Sequence, residues 1–326
     1  MPALVAHADW SMDARKRWIT VLRRAGPGWT LTAPRLVGDV RSLPARLMAE
    51  AAGGAVALGA DLPIGLPRAY AATRPEPDFR AFLRSLGSLG SMPRFFDVCA
   101  VLEDVRPDRP FYPARGLAGM TRLSHALALG LPDAAALSRL CDRATAERPA
   151  GAPLFWTLGA NQSGKAAIAA WRDLILPNLD AAPADAAPAD AAPRLALWPF
   201  DGPFRALLRP GTVVLAETYP AEALRHLRLR LSGSKRRQAD RAAIAAPLLR
   251  AARALGAEPD DAMRALAENG FGADAAGEDR FDSTLGALCV LNVVLGRRPD
   301  HVPDDAWLAR WEGWVLGQTA LPSPRA

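Results

Sequence analysis

Residues 3–34, ALVAHADWSMDARKRWITVLRRAGPGWTLTAP, decide the architecture. Ala3 to Ala8 is a short apolar run ending at Asp9, the pattern of a buried strand. SMDARK reads as a turn, and Arg17 to Leu22 (RWITVL) is rich in β-branched and aromatic residues, as a strand requires. Gly26-Pro27-Gly28 is a strong turn signal, and WTLT alternates after it. Three sequential strands joined by tight connections imply an antiparallel meander. Leu43, Leu47, Met48 and Ala51 then form the stripe of an amphipathic helix, closed by Gly53-Gly54. Ala55 to Ala60 (AVALGA) follows as a buried strand running into Asp61. The order is strand, strand, strand, helix, strand, and two of those strands end on an aspartate.

Outward from this core, Pro63 to about Leu179 reads as mostly helical with prolines between segments. FRAFLRSL, RFFDVCAVLEDV, MTRLSHALALG and DAAALSRLCDRATA are its clearest pieces. Residues 181–193, AAPADAAPADAAP, contain nothing that builds a core and read as a linker or surface loop. Order resumes at Leu195 to Phe200, and Thr212 to Ala216 (TVVLA) is a further apolar strand, ending at Glu217. Helices are expected from about Gln238, kinked by Pro247, and from Glu278.

The chain has 326 residues, too long for one ordinary small domain and too short for three. Half the residues are apolar and 23% are charged, enough to bury a sizeable core. Lys16, Lys165 and Lys235 are the three lysines, so 37 of the 40 Lys and Arg residues are arginine. With 29 prolines and long alanine-rich stretches, this resembles GC-rich coding bias, and the net charge of +6 says little about partners. MPALVAHADW lacks the pattern of a signal peptide, and LGALCVLNVVLG from Leu285 is short of the ~20 apolar residues of a spanning helix. Cys99, Cys141 and Cys289 are widely spaced and odd in number, suggesting neither a disulfide framework nor a zinc site. The expectation is a soluble cytoplasmic protein without membrane association.

The chemistry resides in carboxylates. Asp9, Asp61 and Glu217 each end an apolar strand, and such ends gather along one edge of an α/β sheet, where ligands bind. Asp279 and Asp282 are i, i+3 in GEDRFDSTLGAL and share a helix face. Gly286, four beyond Asp282, leaves that face bare enough to lie close to a sheet. Oxygen ligands converging from separate elements are what Mg²⁺ or Mn²⁺ requires. Two such ions ~3.5–4 Å apart could activate water and stabilise the leaving oxygen of a phosphodiester. Singly, each acid has an ordinary explanation as a turn residue, an N-cap or a first-turn acid. The recurrence at three strand ends and on a late helix favours function.

VAHADWS, VALGADLPIGLP, VVLAETYPAEAL and DRFDSTLGAL, in this order, resemble the ribonuclease-H-fold nuclease family known as domain of unknown function 429. The DLPIGLP and ETYPAEAL segments are the most specific. The resemblance covers roughly residues 3–70 and 195–296. It implies an α/β fold with a ribonuclease-H-like mixed sheet over 1–70 and 195–326, a helical insertion at 71–180 and a linker at 181–194. It also implies a nuclease using Mg²⁺ or Mn²⁺, with Asp9, Asp61, Glu217 and Asp282 as catalytic metal ligands and Asp279 as an addition. Its substrate would be a nucleic acid.

A second motif competes. Gly159 to Lys165, GANQSGK, fits G-x-x-x-x-G-K between strand-like LFWTL and helical AAIAAWRDLIL. Ala166 replaces the hydroxyl that would hold Mg²⁺. A glycine-containing turn before a helix is the ordinary reading, with a phosphate contact at Gly159, Gly164 and Lys165 as the alternative. A nucleotide-binding phosphotransferase of actin-like type and a non-catalytic nucleic-acid-binding protein are therefore kept beside the nuclease. SGSKRRQ, residues 232–238, with Arg225, Arg228 and Arg230 before it, is the densest basic cluster and could reach a nucleic-acid backbone. Trp10 and Trp18 suit packing more than base stacking. His7, His125, His226 and His301 show no metal spacing.

Overall fold

A computed structural model describes residues 1–87, 90–116, 119–158, 163–179 and 194–322. The Ala/Pro/Asp stretch at 181–193, together with Gly159 and Asn161, lies outside the described residues. The first 61 residues form β1 (Leu4–Asp9), β2 (Trp18–Ala25), β3 (Gly28–Leu31), β4 (Arg35–Leu36), α1 (Leu43–Glu50) and β5 (Val56–Ala60). Five helices follow: α2 (Arg68–Ala71), α3 (Phe79–Arg84), α4 (Arg122–Ala128), α5 (Ser163–Ala170) and α6 (Leu176–Asn178). Next come β6 (Arg194–Leu197), α7 (Phe204–Leu207), β7 (Thr212–Glu217), α8 (Pro220–His226) and α9 (Gln238–Ala243). The last elements are α10 (Ala245–Ala254), β8 (Ala257–Pro259), α11 (Asp261–Glu268) and α12 (Gly277–Val294).

Two compact units result. The first comprises Met1–Asp61, Asn178–His301 and Val315–Gly317; the second comprises Leu62–Pro177, Val302–Trp314 and Gln318–Ala326. The second unit thus begins nearer Asp61 than the motifs suggested and draws in a segment after residue 301.

The first unit is built on a mixed sheet of order β6-β7-β5-β1-β2-β3-β8, with β4 beside β2. The expected meander is present: β1 pairs antiparallel with β2, and β2 with β3. Ala25 faces Gly28 across the hairpin, and Gly26 takes the left-handed φ of +57° that the tight reversal needs. On the other side, β5 is parallel to β1, β7 to β5 and β6 to β7. Every residue of β5 and β7 is buried, as expected of parallel strands covered on both faces. From Leu285 onward α12 is apolar almost all round and nearly all buried, the pattern of a core helix, while its first two turns carry the charged residues.

The helical run from Gln238 breaks at Ile244. Pro247 cannot donate to residue 243, so α9 stops at Ala243 and the proline sits in the first turn of α10. β8 escapes a pattern reading because three residues, Ala257–Pro259, are too few to show alternation. It adds to the sheet edge parallel to β3, and α11 follows with Asp260 capping Met263 N at 2.7 Å.

The second unit is less helical than its sequence suggests. RFFDVCAVLEDV holds one 3-10 turn, Leu102–Asp104, in place of a helix. Its backbone bonds across the chain instead: Cys99 N donates to Phe111 O at 2.8 Å, and Ala114 N to Cys99 O at 2.9 Å. DAAALSRLCDRATA likewise yields two 3-10 turns, Ala134–Leu137 and Leu140–Asp142. There the buried Arg139 guanidinium grips Asp142 at 2.8 and 3.0 Å and donates to Ile64 O at 3.1 Å. Aromatic rings fill the unit's core, with Phe95 edge-on to Phe82 at 5.3 Å and to Phe111 at 5.5 Å. Among the described residues, no helix is long and apolar enough to cross a membrane, and Cys99, Cys141 and Cys289 form no disulfide.

Candidate active site

β1 and β5 deliver Asp9 and Asp61 to the same sheet edge. Ala8 pairs with Ala60, and Asp61 N donates to Ala8 O at 3.1 Å, so the two aspartates leave adjacent parallel strands side by side. Side chains alternate between faces along a strand. His7, Asp9, Gly59 and Asp61 therefore share one face. Ala60 pairs with Glu217, which puts Glu217 at the same edge but in the opposite phase. Its side chain leaves the other face of the sheet and is fully buried. The expectation that all three strand-end acids point together holds for Asp9 and Asp61, and Glu217 reaches Asp61 through its charge.

α12 brings the remaining acids. It lies across the Asp9 face, where Thr20 Oγ1 meets Ser283 Oγ at 2.9 Å and Thr284 Oγ1 at 3.2 Å. Two glycines permit the approach. A Cβ on Gly286 would stand 2.3–2.4 Å from three His7 ring atoms, and one on Gly59 would stand 2.5 Å from Val290 Cγ2. The bare face inferred at Gly286 is thus the surface that meets β1. One turn earlier, Asp282 reaches the strand ends, with Asp279 a further turn on.

Crowding is visible in the protonation of these acids. Burial, then the charges of Asp282, Asp61 and Asp279, hold the Asp9 carboxyl well above the usual carboxylate range, with Lys235 opposing. Burial and Asp282 push Asp61 to about 7, and Glu217 adds to the rise. Asp279 is raised to about 6, chiefly by burial. Burial also raises Asp282, against the pull of Lys235. Four carboxyl groups thus share one weakly solvated space, the arrangement in which like charges displace one another's protonation.

Lys235 is the site residue that sequence reasoning left unresolved within a basic cluster. Its Nζ lies 2.5 Å from Asp282 Oδ2. Burial works against its charge, but Asp282, Glu278 and Asp61 outweigh burial and raise it. Its loop is strapped down: Ser234 N donates to Asp240 Oδ2 at 2.8 Å, and the Arg241 guanidinium donates to Lys235 O, Gly270 O and Gly272 O. Gly233 has φ of +129°, and the Asp240 carboxylate fills the space of its missing Cβ. The available sequence signal was the choice of lysine in an arginine-dominated chain.

The donor set suits a hard divalent ion. Asp282 is 8% exposed, and its Oδ1 is buried without a hydrogen-bond partner among the described residues, an oxygen left for a ligand. Asp9, Asp61 and Asp279 supply further carboxylate oxygen beside it. These four do not by themselves bring three ligand oxygens within 4.8 Å of one another, so the set is open in the metal-free chain.

Other candidates separate from this site. His7 shares the Asp9 face but is sealed beneath Gly286; burial lowers it to about 3, and neither ring nitrogen has a hydrogen-bond partner among the described residues. Trp10 and Trp18 carry Arg17 and Arg280 on their rings at 5.2 and 4.5 Å. Arg225, Arg228, Arg230, Arg236 and Arg237 are exposed, and Arg236 approaches Glu278 at 3.8 Å. In the GANQSGK motif, Gly159 lies outside the described residues, and residues 151–158 form a turn with one bridge where a strand was expected. Gly164 N donates to Trp156 O at 3.3 Å, and a Cβ there would stand 2.9 Å from two carbonyl oxygens. That glycine serves close packing, while Lys165 sits one position on in α5.

Protein-family models, curated proteins and solved structures give no match to this chain.

Proposed function

We propose that this chain is a divalent-metal-dependent phosphodiesterase of ribonuclease-H-like fold acting on nucleic acid, in keeping with its resemblance to domain of unknown function 429. The observation that carries the reading is the buried, unpartnered Oδ1 of Asp282 beside Asp9 and Asp61. The three antiparallel strands flanked by parallel β5 and β7, with a helix laid across the central strand, support the fold assignment.

Mg²⁺ or Mn²⁺ bound here supplies charge stabilisation to a phosphoryl group and acidifies a bound water. Asp9, which feels the charges of Asp282, Asp61 and Asp279, would be a shared ligand, and Asp61, Asp282 and Asp279 would supply the remaining carboxylate oxygens. Raised carboxyl groups must release protons before they can ligate, so ion binding and proton release are coupled. Glu217 acts from the opposite face through its charge on Asp61. The exposed arginines after α8 offer contacts to a phosphate backbone.

The test is hydrolysis of single- and double-stranded DNA and RNA with Mg²⁺ or Mn²⁺, beside a small phosphodiester. Asp9→Asn should lower metal-dependent cleavage by about 100-fold or more, as loss of a central charged ligand would. A purified chain that binds no divalent ion, or an Asp9→Asn variant as active as the parent, would sink the reading.

A further inference from the structure

We infer that Lys235 is a resident counter-cation of the carboxylate cluster, occupying Asp282 until a divalent ion displaces it. The inference rests on the metal-site reading above and adds a built-in competitor to it. A loop lysine pairing with a surface acid has ordinary freedom; this one does not. Ser234 N donates to Asp240, Arg241 donates to Lys235 O, and left-handed Gly233 sets the turn before them, so the ammonium is delivered to within 2.5 Å of Asp282 Oδ2. Lys235 is half-buried and its partner carboxylate nearly sealed, with side-chain exposures of 26% and 12%. In so weakly screened a space the pair is held more firmly than a surface pair.

The two oxygens of Asp282 therefore differ. Oδ2 is capped by the ammonium, and Oδ1 has no hydrogen-bond partner among the described residues. Lys235 acts on Asp282, Asp9 and Asp61 together, while Arg241 also acts on Asp282 and Lys16 and Arg280 act on Asp279. A divalent ion joining Asp282 to Asp9 takes over that role with twice the charge. It repels the ammonium across that carboxylate, so each weakens the other's hold on Asp282. Lys235 thus stabilises the empty site and weakens ion binding through one contact. The loop straps do not involve the side chain, so Nζ can swing clear without unfolding its own loop.

The test compares Mn²⁺ binding by the full chain with its Lys235→Met and Lys235→Arg variants, by calorimetry at a single alkaline pH. Lys235→Met should bind Mn²⁺ about tenfold more tightly, equivalent to about 1.4 kcal/mol, and melt lower when metal-free. Lys235→Arg should stay near the parent, because the charge is retained. The second readout is amine acylation mapped by mass spectrometry, with Lys165 as reference. Mg²⁺ should increase labelling at Lys235 severalfold relative to Lys165. Unchanged or weaker Mn²⁺ binding by folded Lys235→Met, or labelling at Lys235 indifferent to Mg²⁺, would overturn the inference while leaving the metal site standing. Absence of Mn²⁺ binding by both parent and Lys235→Met would remove the metal site and this inference together.

Discussion

Gly286→Ala is the substitution that most sharply probes how the site is assembled. The new methyl would lie 2.3–2.4 Å from Cγ, Cδ2 and Cε1 of His7, roughly 1 Å inside the 3.4 Å at which ordinary contact begins. His7 cannot retreat: it is fully buried, and the space of a Cβ on Gly59 abuts its Cδ2 at 3.2 Å from the other strand. The strain must therefore move α12 away from β1. Overpacking of this kind costs ~1–3 kcal/mol, and alanine returns ~1 kcal/mol of helix propensity. Three simultaneous short contacts place the cost near the top of that range, leaving a net loss of ~2 kcal/mol. For a unit of this size the loss corresponds to a fall in melting temperature of ~4–8 °C. Because α12 carries Asp279 and Asp282, Mn²⁺ affinity should fall as well. The assay is a double-mutant cycle in thermal and urea denaturation with Gly286→Ala, His7→Ala and the pair. His7→Ala opens the space, so the two changes should couple favourably by ~1–2 kcal/mol. A Gly286→Ala protein that melts with the parent, or strictly additive effects, would refute the close approach of α12 to β1.

The acids themselves should trade stability for function. Asp9→Asn removes a carboxyl whose ionisation burial and three like-charged neighbours oppose, so the metal-free chain should be more stable at pH 8, a gain read from urea midpoints, while Mn²⁺ no longer stabilises it. The contribution of these acids to the stability of the metal-free parent should fall with rising pH. A carboxyl whose folded-state value exceeds its unfolded one keeps its proton more firmly when folded. Its contribution is therefore complete below pH ~4 and lost as pH rises through about 7 for Asp61 and about 6 for Asp279. The rise of Asp61 from 3.8 to about 7 bounds its share at ~4 kcal/mol. Buried His7 contributes the opposite trend over this range, so the check is the difference in denaturation midpoint between the parent and Asp61→Asn from pH 4 to 8, and a difference that does not change with pH would contradict it.

Much of the first unit was legible because its elements carry strong local signals. The apolar runs at Leu4–Asp9, Val56–Ala60 and Thr212–Glu217 could only be buried strands, and Gly26-Pro27-Gly28 fixed the hairpin. Gly286 announced a close helix–sheet contact before its partner, His7, was known. Three-residue β8 and the break at Ile244 depend on tertiary pairing and on one proline, which periodicity does not weigh. The second unit defeated the pattern reading because its apolar residues form an aromatic core whose backbone bonds run between distant loops. At the site, strand ends revealed which acids gather but not their phase: Glu217 is one residue out of step with Asp61, a matter of register that sequence alone does not set. Lys235 lay hidden among five arginines because only folding shows which cation turns inward.

The most direct measurement is a crystal structure of the chain soaked in Mn²⁺, read by anomalous scattering. The account predicts a peak at the Asp9, Asp61 and Asp282 carboxylates, with Lys235 Nζ drawn off Asp282. A map with no peak there, or with Mn²⁺ bound elsewhere and the Lys235–Asp282 pair intact, would contradict it.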